Sequence, residues 1–475
     1  MQPWLKRTLI GFGLILLATV IGAGWYLSNT LPIGTGHVAK TLCSNVFIAQ
    51  RNPETVFQED IAPVHFLFAI TNFEVNEQEK SVTSTAYGFF GTKAIFREGC
   101  GCTVVNGISE AELRRQTFMN IELPSSAEKQ QTDLLWPTGD RLPVNKTAAG
   151  VDAARLNKAL DAAFAEPGPE KPRKTRAVVV VYDGQLIAER YAPGFDASRP
   201  LLGWSMSKSV TNALVGILVK KGKLDIQKPA AVPEWQNDDD PRRAITLDQL
   251  LRMSSGLEFN EAYAPFSDAV NMFYDSYDFA AYAAHKPLEV EPDTKFHYSS
   301  GTANIVARIV RRAAESEFRD YYTFIYRELF ARIGMRSVIF EPDPSGTFVG
   351  SSYVFATARD WARFGMLYLQ EGVWEGERLL PEGWVAYTTT PTPTAPQGEY
   401  GAMFWLNAGS ESNPENRSWP SVSRDAYWAS GFQEQRVIII PSRKAVLVRL
   451  GNCSYRDAWN DEEFITGVLA ALPES

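Results

Sequence analysis

The sequence predicts an α+β fold, and three patterns support this prediction. Two strand-like runs, residues 177–181 and 186–191, are joined by Asp183-Gly184, a dipeptide typical of a β-hairpin turn. Apolar residues over 210–218 recur with the spacing of a buried helix face. A β-branched run at 437–440 predicts a further strand. With 45% apolar residues, the chain can bury a large globular core.

The tetrapeptide Ser205-Met206-Ser207-Lys208 stands directly ahead of that apolar helical run. Residues three apart on a helix share one face, so the side chains of Ser205 and Lys208 are expected to lie together. A serine hydroxyl is a poor nucleophile unless a base is held against it. Burial favours the neutral form of a lysine, which can then accept a proton. The pattern therefore predicts an activated serine at the start of this helix.

The S-x-x-K pattern also arises by chance, and the chain contains a second copy, Ser126-Ala127-Glu128-Lys129. That copy stands in the polar stretch 124–133, which predicts a loop and not a helix. For the first copy, the alternative interpretation is a helix that begins with a serine cap and carries a surface lysine. Two further motifs are needed to decide between these interpretations.

The second motif is Tyr298-Ser299-Ser300-Gly301, which stands just before a predicted helix over residues 302–314. A tyrosine at such a junction can project its phenol into a cleft, where a phenol beside an ammonium group can relay protons. The alternative is a core tyrosine whose hydroxyl bonds to the backbone.

The third motif is Ala429-Ser430-Gly431, followed by Phe432 and by the strand predicted at 437–440. A glycine in this position lets a substrate carbonyl approach the backbone closely. A neighbouring backbone N–H can then stabilise an oxyanion. The alternative is an ordinary hairpin glycine.

The order, spacing and contexts of these motifs resemble the serine β-lactamase and penicillin-binding superfamily, in particular its class C-like branch of esterases, DD-peptidases and 6-aminohexanoate-dimer hydrolases. The resemblance covers roughly residues 150–470, and the segments 245–257 and 355–365 are also similar to segments of that family. It implies a β-lactamase/transpeptidase-like α+β fold, with an antiparallel sheet flanked by helices and an all-helical lobe over about 225–350. The catalytic cleft would lie between the sheet and this lobe.

The resemblance also implies a role for each motif residue. Ser205 would be the nucleophile, Lys208 its base or a group that tunes the base, and Tyr298 a relay between nucleophile and leaving group. The backbone N–H groups of Ser205 and Phe432 would form the oxyanion hole. Three further residues would contact the substrate: Ser300, Ser430 and Gly431.

Two positions depart from the patterns of the family. The motif Y-x-N ends in Ser300, and the motif K-T-G reads Ala429-Ser430-Gly431. The cation that helps β-lactam-binding members to hold the substrate carboxylate is therefore missing, and alanine cannot replace it. We expect a serine hydrolase that forms an acyl-enzyme with a small ester or short amide, and not an efficient β-lactamase. An arginine from elsewhere in the chain is the alternative source of that charge.

The N-terminus carries an apolar run without a charge at residues 8–27, preceded by Lys6 and Arg7. About 20 apolar residues span a bilayer, and basic residues before the span keep the N-terminus inside. This predicts a single-pass anchor in the inner membrane with the catalytic domain in the periplasm. A signal peptide cleaved near Gly22-Ala23-Gly24 is the alternative.

The predicted segments are an anchor or signal peptide at 1–30, a periplasmic extension at 31–145 and the hydrolase domain at 146–475.

The four cysteines do not make a disulfide scaffold. A disulfide between Cys43 and either Cys100 or Cys102 suits an oxidising periplasm, and Cys453 stays unassigned. Within the extension, two stretches are predicted to be strand-like, at 81–96 and 102–105.

Several other functions are disfavoured by the composition. A net charge of −8 with interspersed signs does not favour nucleic-acid binding, and without a Gly-rich phosphate loop or H-E-x-x-H we expect neither cofactor nor metal. A Ser-His-Asp hydrolase is a lesser alternative, because no G-x-S-x-G occurs and only His297 stands near a motif. The alternative from another class is a non-catalytic or weakly active relative that binds peptidoglycan or a partner protein.

Overall fold

The computed structural model describes residues 3–116, 134–142, 150–315, 321–455 and 457–474. The second S-x-x-K copy and the loop predicted over 124–133 fall outside these residues. The predicted border between extension and hydrolase domain, at residues 145 and 146, also falls outside them.

The chain begins with one continuous helix, α1 (Pro3–Phe47). From Ile10 to Asn29 the helix is largely apolar and almost entirely exposed, and from Thr30 onward most of its side chains are buried. Within the described chain, this is the one helix long and apolar enough to cross a membrane, and a signal sequence would have the same properties. The helix thus extends well beyond the predicted span and joins it directly to the folded part of the protein.

A four-stranded antiparallel sheet packs on the buried half of α1. Its strands follow the chain order: β1 (Thr71–Asn76), β2 (Ser81–Ala86), β3 (Phe90–Arg97) and β4 (Gly101–Val104). The strand predictions for 81–96 and 102–105 are confirmed. A disulfide joins Cys43 of α1 to Cys102 of β4, which decides between the two expected pairings. Cys100 and Cys453 are buried and lie outside this disulfide.

A six-stranded antiparallel sheet forms the centre of the rest of the molecule. Its strands are β5 (Thr175–Tyr182), β6 (Gln185–Tyr191), β12 (Trp405–Leu406), β13 (Tyr427–Gly431), β14 (Gln435–Ile440) and β15 (Ala445–Gly451). They lie in the order β12-β13-β14-β15-β5-β6. The predicted hairpin between β5 and β6 is confirmed, and Asp183 and Gly184 both have the positive φ that a tight two-residue turn requires.

Helices cover both faces of this sheet because its valine- and isoleucine-rich strands are apolar on both sides. One face packs against α2 (Ala153–Phe164) and α6 (Asp461–Leu469). The other packs against α3 (Met206–Lys220) and α5 (Ala358–Leu369). The predicted antiparallel sheet flanked by helices is therefore confirmed.

Most elements of the described chain between β6 and β12 are helices. The longest of them is α4 (Ser300–Glu315), which begins two residues before the predicted start. Shorter helices in this part are Leu247–Leu251, Asp268–Asp275, Phe279–Ala284, Tyr321–Ile325 and Trp384–Thr389. In the N-terminal part, a short helix precedes β1 at Pro53–Val56, and another follows β4 at Glu110–Arg115. Short strands are β7 (Leu201–Leu202), β8 (Ile339–Phe340), β9 (Val354–Ala356), β10 (Val373–Trp374) and β11 (Glu377–Arg378). The starts of α3 and α4 and the end of β13 carry the three motifs.

Candidate active site

Ser205 lies at the N-terminal end of α3, where the chain turns sharply from β7 into the helix. Trp204, directly before it, has φ +50°, and a Cβ on Gly203 would come within 2.3 Å of the Trp361 ring. The Gly-Trp pair thus allows a tight turn that packs on the core. The helix ends as predicted, with Lys221 at its C-cap and Gly222 at positive φ.

Lys208 is buried, with 1% of its surface exposed, one turn into the same helix. Its Nζ lies 3.1 Å from the Oγ of Ser205, 3.1 Å from the Oγ of Ser300 and 3.1 Å from the carbonyl oxygen of Ser351. Among the described residues, Lys208 is the one hydrogen-bond partner of the Ser205 side chain. The predicted serine–lysine pair is therefore formed at hydrogen-bond distance.

Tyr298 stands beside this pair, at the approach to α4. The Nζ of Lys208 lies 4.6 Å from the centroid of its ring. The ring also contacts Tyr400 and Trp405, with centroids 5.8 and 5.5 Å away. Within the described chain, the Tyr298 hydroxyl has no hydrogen-bond partner. The phenol is thus fixed by its ring contacts while its oxygen stays available to a substrate.

Glu261 is a site residue that the motifs did not predict. Its Oε1 accepts a hydrogen bond from the Oγ of Ser300 at 2.5 Å, and its Oε2 accepts one from the backbone N–H of Ser300 at 2.7 Å. Burial raises the pKa of Glu261, and the nearby charge of Lys208 opposes this shift. Ser300 itself is fully buried. A chain of hydrogen bonds therefore runs from Glu261 through Ser300 to Lys208.

The end of β13 approaches the turn before Ser205. A Cβ on Gly431 would come within 2.1 Å of the carbonyl oxygen of Gly203, so only glycine fits this contact. Phe432 follows, with its ring 5.6 Å from that of Trp204. Among the described residues, backbone hydrogen bonds also form in turns and loops. In none of these is the N–H of Ser205 or the N–H of Phe432 the donor. Both amides are thus candidates to bind a substrate oxygen.

An arginine does lie next to the third motif, but its guanidinium group is already paired with carboxylates. Arg436 stands opposite Ser430 in the β13–β14 register and donates from Nη1 to the Ser430 Oγ at 2.9 Å. Its Nε bonds to Asp461 at 2.9 Å, and its Nη2 forms an ion pair with Glu434. Two carboxylates thus accompany this one guanidinium group.

Histidine takes no part in the hydrogen bonds of Ser205 among the described residues. The backbone N–H of His297 donates to the carbonyl oxygen of Met253 at 2.8 Å. Its Nδ1 is buried without a partner in the described chain. No group of three or more His, Cys, Asp or Glu side chains in that part of the chain is arranged to hold a metal ion.

Comparison with known proteins agrees with the family resemblance of the sequence motifs. The family profile described as Beta-lactamase matches residues 160–470. A 6-aminohexanoate-dimer hydrolase of Paenarthrobacter ureafaciens is 24% identical over 326 residues, covering 62% of this chain and 77% of that protein.

Solved structures agree on the fold. A putative β-lactamase from Bacteroides dorei DSM 17855 superposes with a TM-score of 0.54 at 18% identity, covering 67% of this chain and 99% of that one. A family VIII carboxylesterase superposes with a TM-score of 0.52 at 15% identity, covering 68% of this chain and 97% of that one.

Proposed function

This chain belongs to the β-lactamase family, and on that premise we propose that it hydrolyses an ester or short amide through an acyl-enzyme on Ser205. The resemblance found in the sequence motifs is confirmed by the family match, as is the general assignment to the serine hydrolases. The proposal concerns the mechanism, the substrate class and the location in the cell.

The hydrogen bonds of Lys208 are the observation that carries the mechanism. The carbonyl oxygen of Ser351 can only accept, so it takes one N–H of the lysine. The hydroxyl hydrogen of Ser300 goes to Glu261, so the Ser300 Oγ is free to accept a second N–H. A neutral amine has two N–H groups, and both are then used. In the neutral amine that the proposal requires, the lone pair is then directed at the remaining neighbour, the Oγ of Ser205, 3.1 Å away.

In the proposed acylation step, the amine of Lys208 takes the hydroxyl proton of Ser205 as the Ser205 Oγ attacks the substrate carbonyl carbon. The resulting oxyanion accepts hydrogen bonds from the N–H groups of Ser205 and Phe432. When the tetrahedral intermediate collapses, the bond to the alcohol or amine breaks. Tyr298 gives its proton to that leaving group and regains one from the Lys208 ammonium. Water then releases the acyl group by the reverse sequence of proton transfers.

Ser300 is assigned to positioning in this scheme. Because its side chain is fully buried and bonded at both ends, it orients the lysine and does not touch the substrate. Ser430 and Gly431 remain proposed substrate contacts at the edge of β13.

Two features support an ester or short amide over a β-lactam. Ala429 provides no cation, and Arg436 is paired with Glu434 and Asp461. A substrate carboxylate would therefore have to compete with two buried or half-buried carboxylates for one guanidinium. The names of the similar proteins, an aminohexanoate-dimer hydrolase and a carboxylesterase, favour the same substrate class.

The proposed location follows from α1. Its exposed apolar half, preceded by Lys6 and Arg7, would anchor the protein in the inner membrane and leave the catalytic domain in the periplasm.

Turnover by the full-length protein in detergent tests this function. We expect hydrolysis of p-nitrophenyl butyrate or of aminohexanoate dimer, with nitrocefin at least roughly 100-fold slower, since a missing charged contact costs about two powers of ten. Ser205→Ala should abolish turnover, and Ser198→Ala, at an exposed serine, is the matched control. Nitrocefin hydrolysis as fast as ester hydrolysis would contradict the substrate assignment.

A further inference from the structure

An apolar cavity of ≈ 150 Å³ lies between α1 and residues that flank the proposed active site in the chain. Its walls combine the part of α1 that begins at Thr30 with residues that flank the proposed reactive groups in the chain. Chief among them are Ile33, Gly34, Trp204, Tyr263 and Phe432. Trp204 directly precedes Ser205, and Phe432 directly follows Gly431, so the cavity wall includes residues next to the proposed oxyanion hole. Within the described chain, no Asp, Glu, Lys or Arg side chain lines it.

The mouth of this cavity lies where α1 leaves the folded part of the protein. Trp25, on the exposed half of α1, stacks on Phe266 at 5.6 Å with the two rings nearly parallel. Tyr26 contacts the same ring at 5.5 Å. Phe266 belongs to the loop that also supplies Tyr263 to the cavity wall. The loop over the cleft is thus in direct contact with the apolar helix surface that would lie in a membrane.

The tip of the β2–β3 hairpin also lies toward the exposed half of α1. Phe96 packs against Phe47 near the end of α1, and Thr92 bonds to Thr35 at 2.8 Å. Strand β3 therefore runs along α1, and its beginning lies toward the N-terminal part of the helix. The hairpin tip, with Tyr87 61% exposed and Phe89 87% exposed, must lie near the level of Trp25.

We call the exposed apolar residues around the foot of the helix the interfacial face. Its members are Val64, Phe66, Tyr87, Phe89, Tyr263 and Phe266. Exposed aromatic side chains at this level are typical of the boundary between membrane and water, where aromatic rings are enriched. A largely apolar cavity without Asp, Glu, Lys or Arg side chains, inside such a face, is suited to hydrocarbon.

We propose that this cavity binds the acyl chain of an ester lipid that enters from the same membrane that α1 spans. The inference rests on the proposed hydrolase function and on the proposed anchor, and it specifies the substrate class. The acyl part is chosen over the alcohol part because the cavity wall includes Phe432, whose N–H is proposed to bind the carbonyl oxygen, and Trp204, which directly precedes Ser205. In the acyl-enzyme, the chain would stay in the cavity while the alcohol leaves.

The first test compares acyl-chain lengths with one leaving group, using 4-methylumbelliferyl acetate, butyrate and octanoate and the full-length protein in detergent. We expect kcat/KM to rise with chain length up to the capacity of the cavity. A second series, butyl acetate and octyl acetate, examines the alcohol side. A dependence on alcohol length without any dependence on acyl length would overturn the assignment.

The matched variants are Gly34→Leu and Gly24→Leu, both on α1. At Gly34 an added side chain would enter the cavity, and the nearest atom to its Cβ is in Phe68 at 3.8 Å, whereas nothing lies within 4 Å at Gly24. The octanoate-to-acetate ratio of kcat/KM should fall by roughly tenfold or more in Gly34→Leu, because lost methylene contacts act on specificity by such factors. The ratio should not change in Gly24→Leu. An unchanged ratio in Gly34→Leu would contradict the proposal.

A second variant covers the case that Gly34→Leu fails to fold. Ile33→Ala enlarges the cavity, so its preference should shift toward longer chains. Failure of this shift would count against the cavity as the acyl site. If wild type hydrolyses neither these esters nor aminohexanoate dimer, the proposed function fails, whereas turnover of the esters without any length preference contradicts only the cavity assignment.

The membrane origin has its own test. Full-length protein is reconstituted in phosphatidylethanolamine–phosphatidylglycerol vesicles, with 4-methylumbelliferyl palmitate either in the same vesicles or in separate vesicles without protein. Lateral entry predicts hydrolysis at least roughly tenfold faster when enzyme and substrate share a membrane, because a long acyl chain leaves a bilayer slowly. Equal rates in the two arrangements would show delivery through water and overturn the proposal.

Discussion

Glu261 receives the hydroxyl hydrogen of Ser300 at 2.5 Å, and this contact fixes how Ser300 can serve Lys208. A hydroxyl has one hydrogen to donate. Because this hydrogen is donated to Glu261, the Ser300 Oγ can only accept further hydrogen bonds. Its nearest donor is the Nζ of Lys208 at 3.1 Å. The carboxylate thereby acts on Lys208, the proposed base, without touching it. Glu261 is a positioning residue in this account.

Glu261→Ala should lower kcat by roughly 10- to 100-fold, because Ser300 would be free to turn its hydrogen toward Lys208 and a charged hydrogen bond would be lost. Glu261→Gln keeps an acceptor and should lose less. The distinguishing measurement is the pH profile of kcat. Burial raises the pKa of Glu261, so wild-type activity should decline with falling pH at a higher pH than for an exposed glutamate. If the two variants keep the wild-type acid limb, Glu261 has only a structural role.

Tyr298→Phe keeps the ring contacts with Tyr400 and Trp405 and removes the hydroxyl. The loss should depend on the leaving group, since a general acid contributes roughly 10²–10⁴-fold where the leaving group needs a proton. We expect a large loss on alkyl esters and amides and a small loss on p-nitrophenyl esters. Tyr400→Phe is the control. A loss of the same size on both substrate types would remove Tyr298 from the proton relay.

His297→Ala should have a mild effect on turnover. The residue is anchored through its backbone N–H to Met253, and the Ser205 hydroxyl bonds to Lys208. Steady-state kinetics on p-nitrophenyl butyrate are sufficient for this test. A loss as large as that of Ser205→Ala would restore the Ser-His-Asp alternative.

Lys40 of α1 forms a buried ion pair with Glu341, which also accepts hydrogen bonds from the Ser44 Oγ at 2.8 Å and the Cys102 N–H at 2.6 Å. Lys40→Met should lower the free energy of unfolding by about 3–5 kcal/mol, because it leaves a buried carboxylate without a counter-charge. Adding Glu341→Gln should recover part of this loss.

Chemical unfolding of the single and double variants measures the effect. Lys80→Met, at the exposed pair with Glu98, is the control and should change stability little. A Lys40→Met protein as stable as wild type would contradict this contribution of the ion pair to stability.

The parts of the site that share one helix were readable from the sequence. Ser205 and Lys208 are three residues apart, and the helical repeat alone brings them to one face. At Gly431 the sequence predicts the close approach of a substrate carbonyl, and that stays a prediction; in the structure the group packed against this glycine is the carbonyl oxygen of Gly203. The hairpin at Asp183-Gly184 followed from turn chemistry.

Glu261 could not be found in this way. It lies in an irregular loop 39 residues before Ser300, and no local periodicity marks it. The continuation of α1 to Phe47 was equally hidden, since Pro32 and the glycines that follow it usually end helices. Burial against β2 and β3 compensates for these weak helix formers. Both features depend on contacts between distant segments.

The most direct test of the account is the reaction of the full-length protein with a fluorophosphonate probe, followed by mass spectrometry of the labelled peptide. We predict stoichiometric labelling of Ser205 that is lost in Lys208→Ala, while the variant keeps its cooperative unfolding. Labelling of Ser205 that persists at the wild-type rate in Lys208→Ala, or labelling of another residue, would contradict the serine–lysine mechanism.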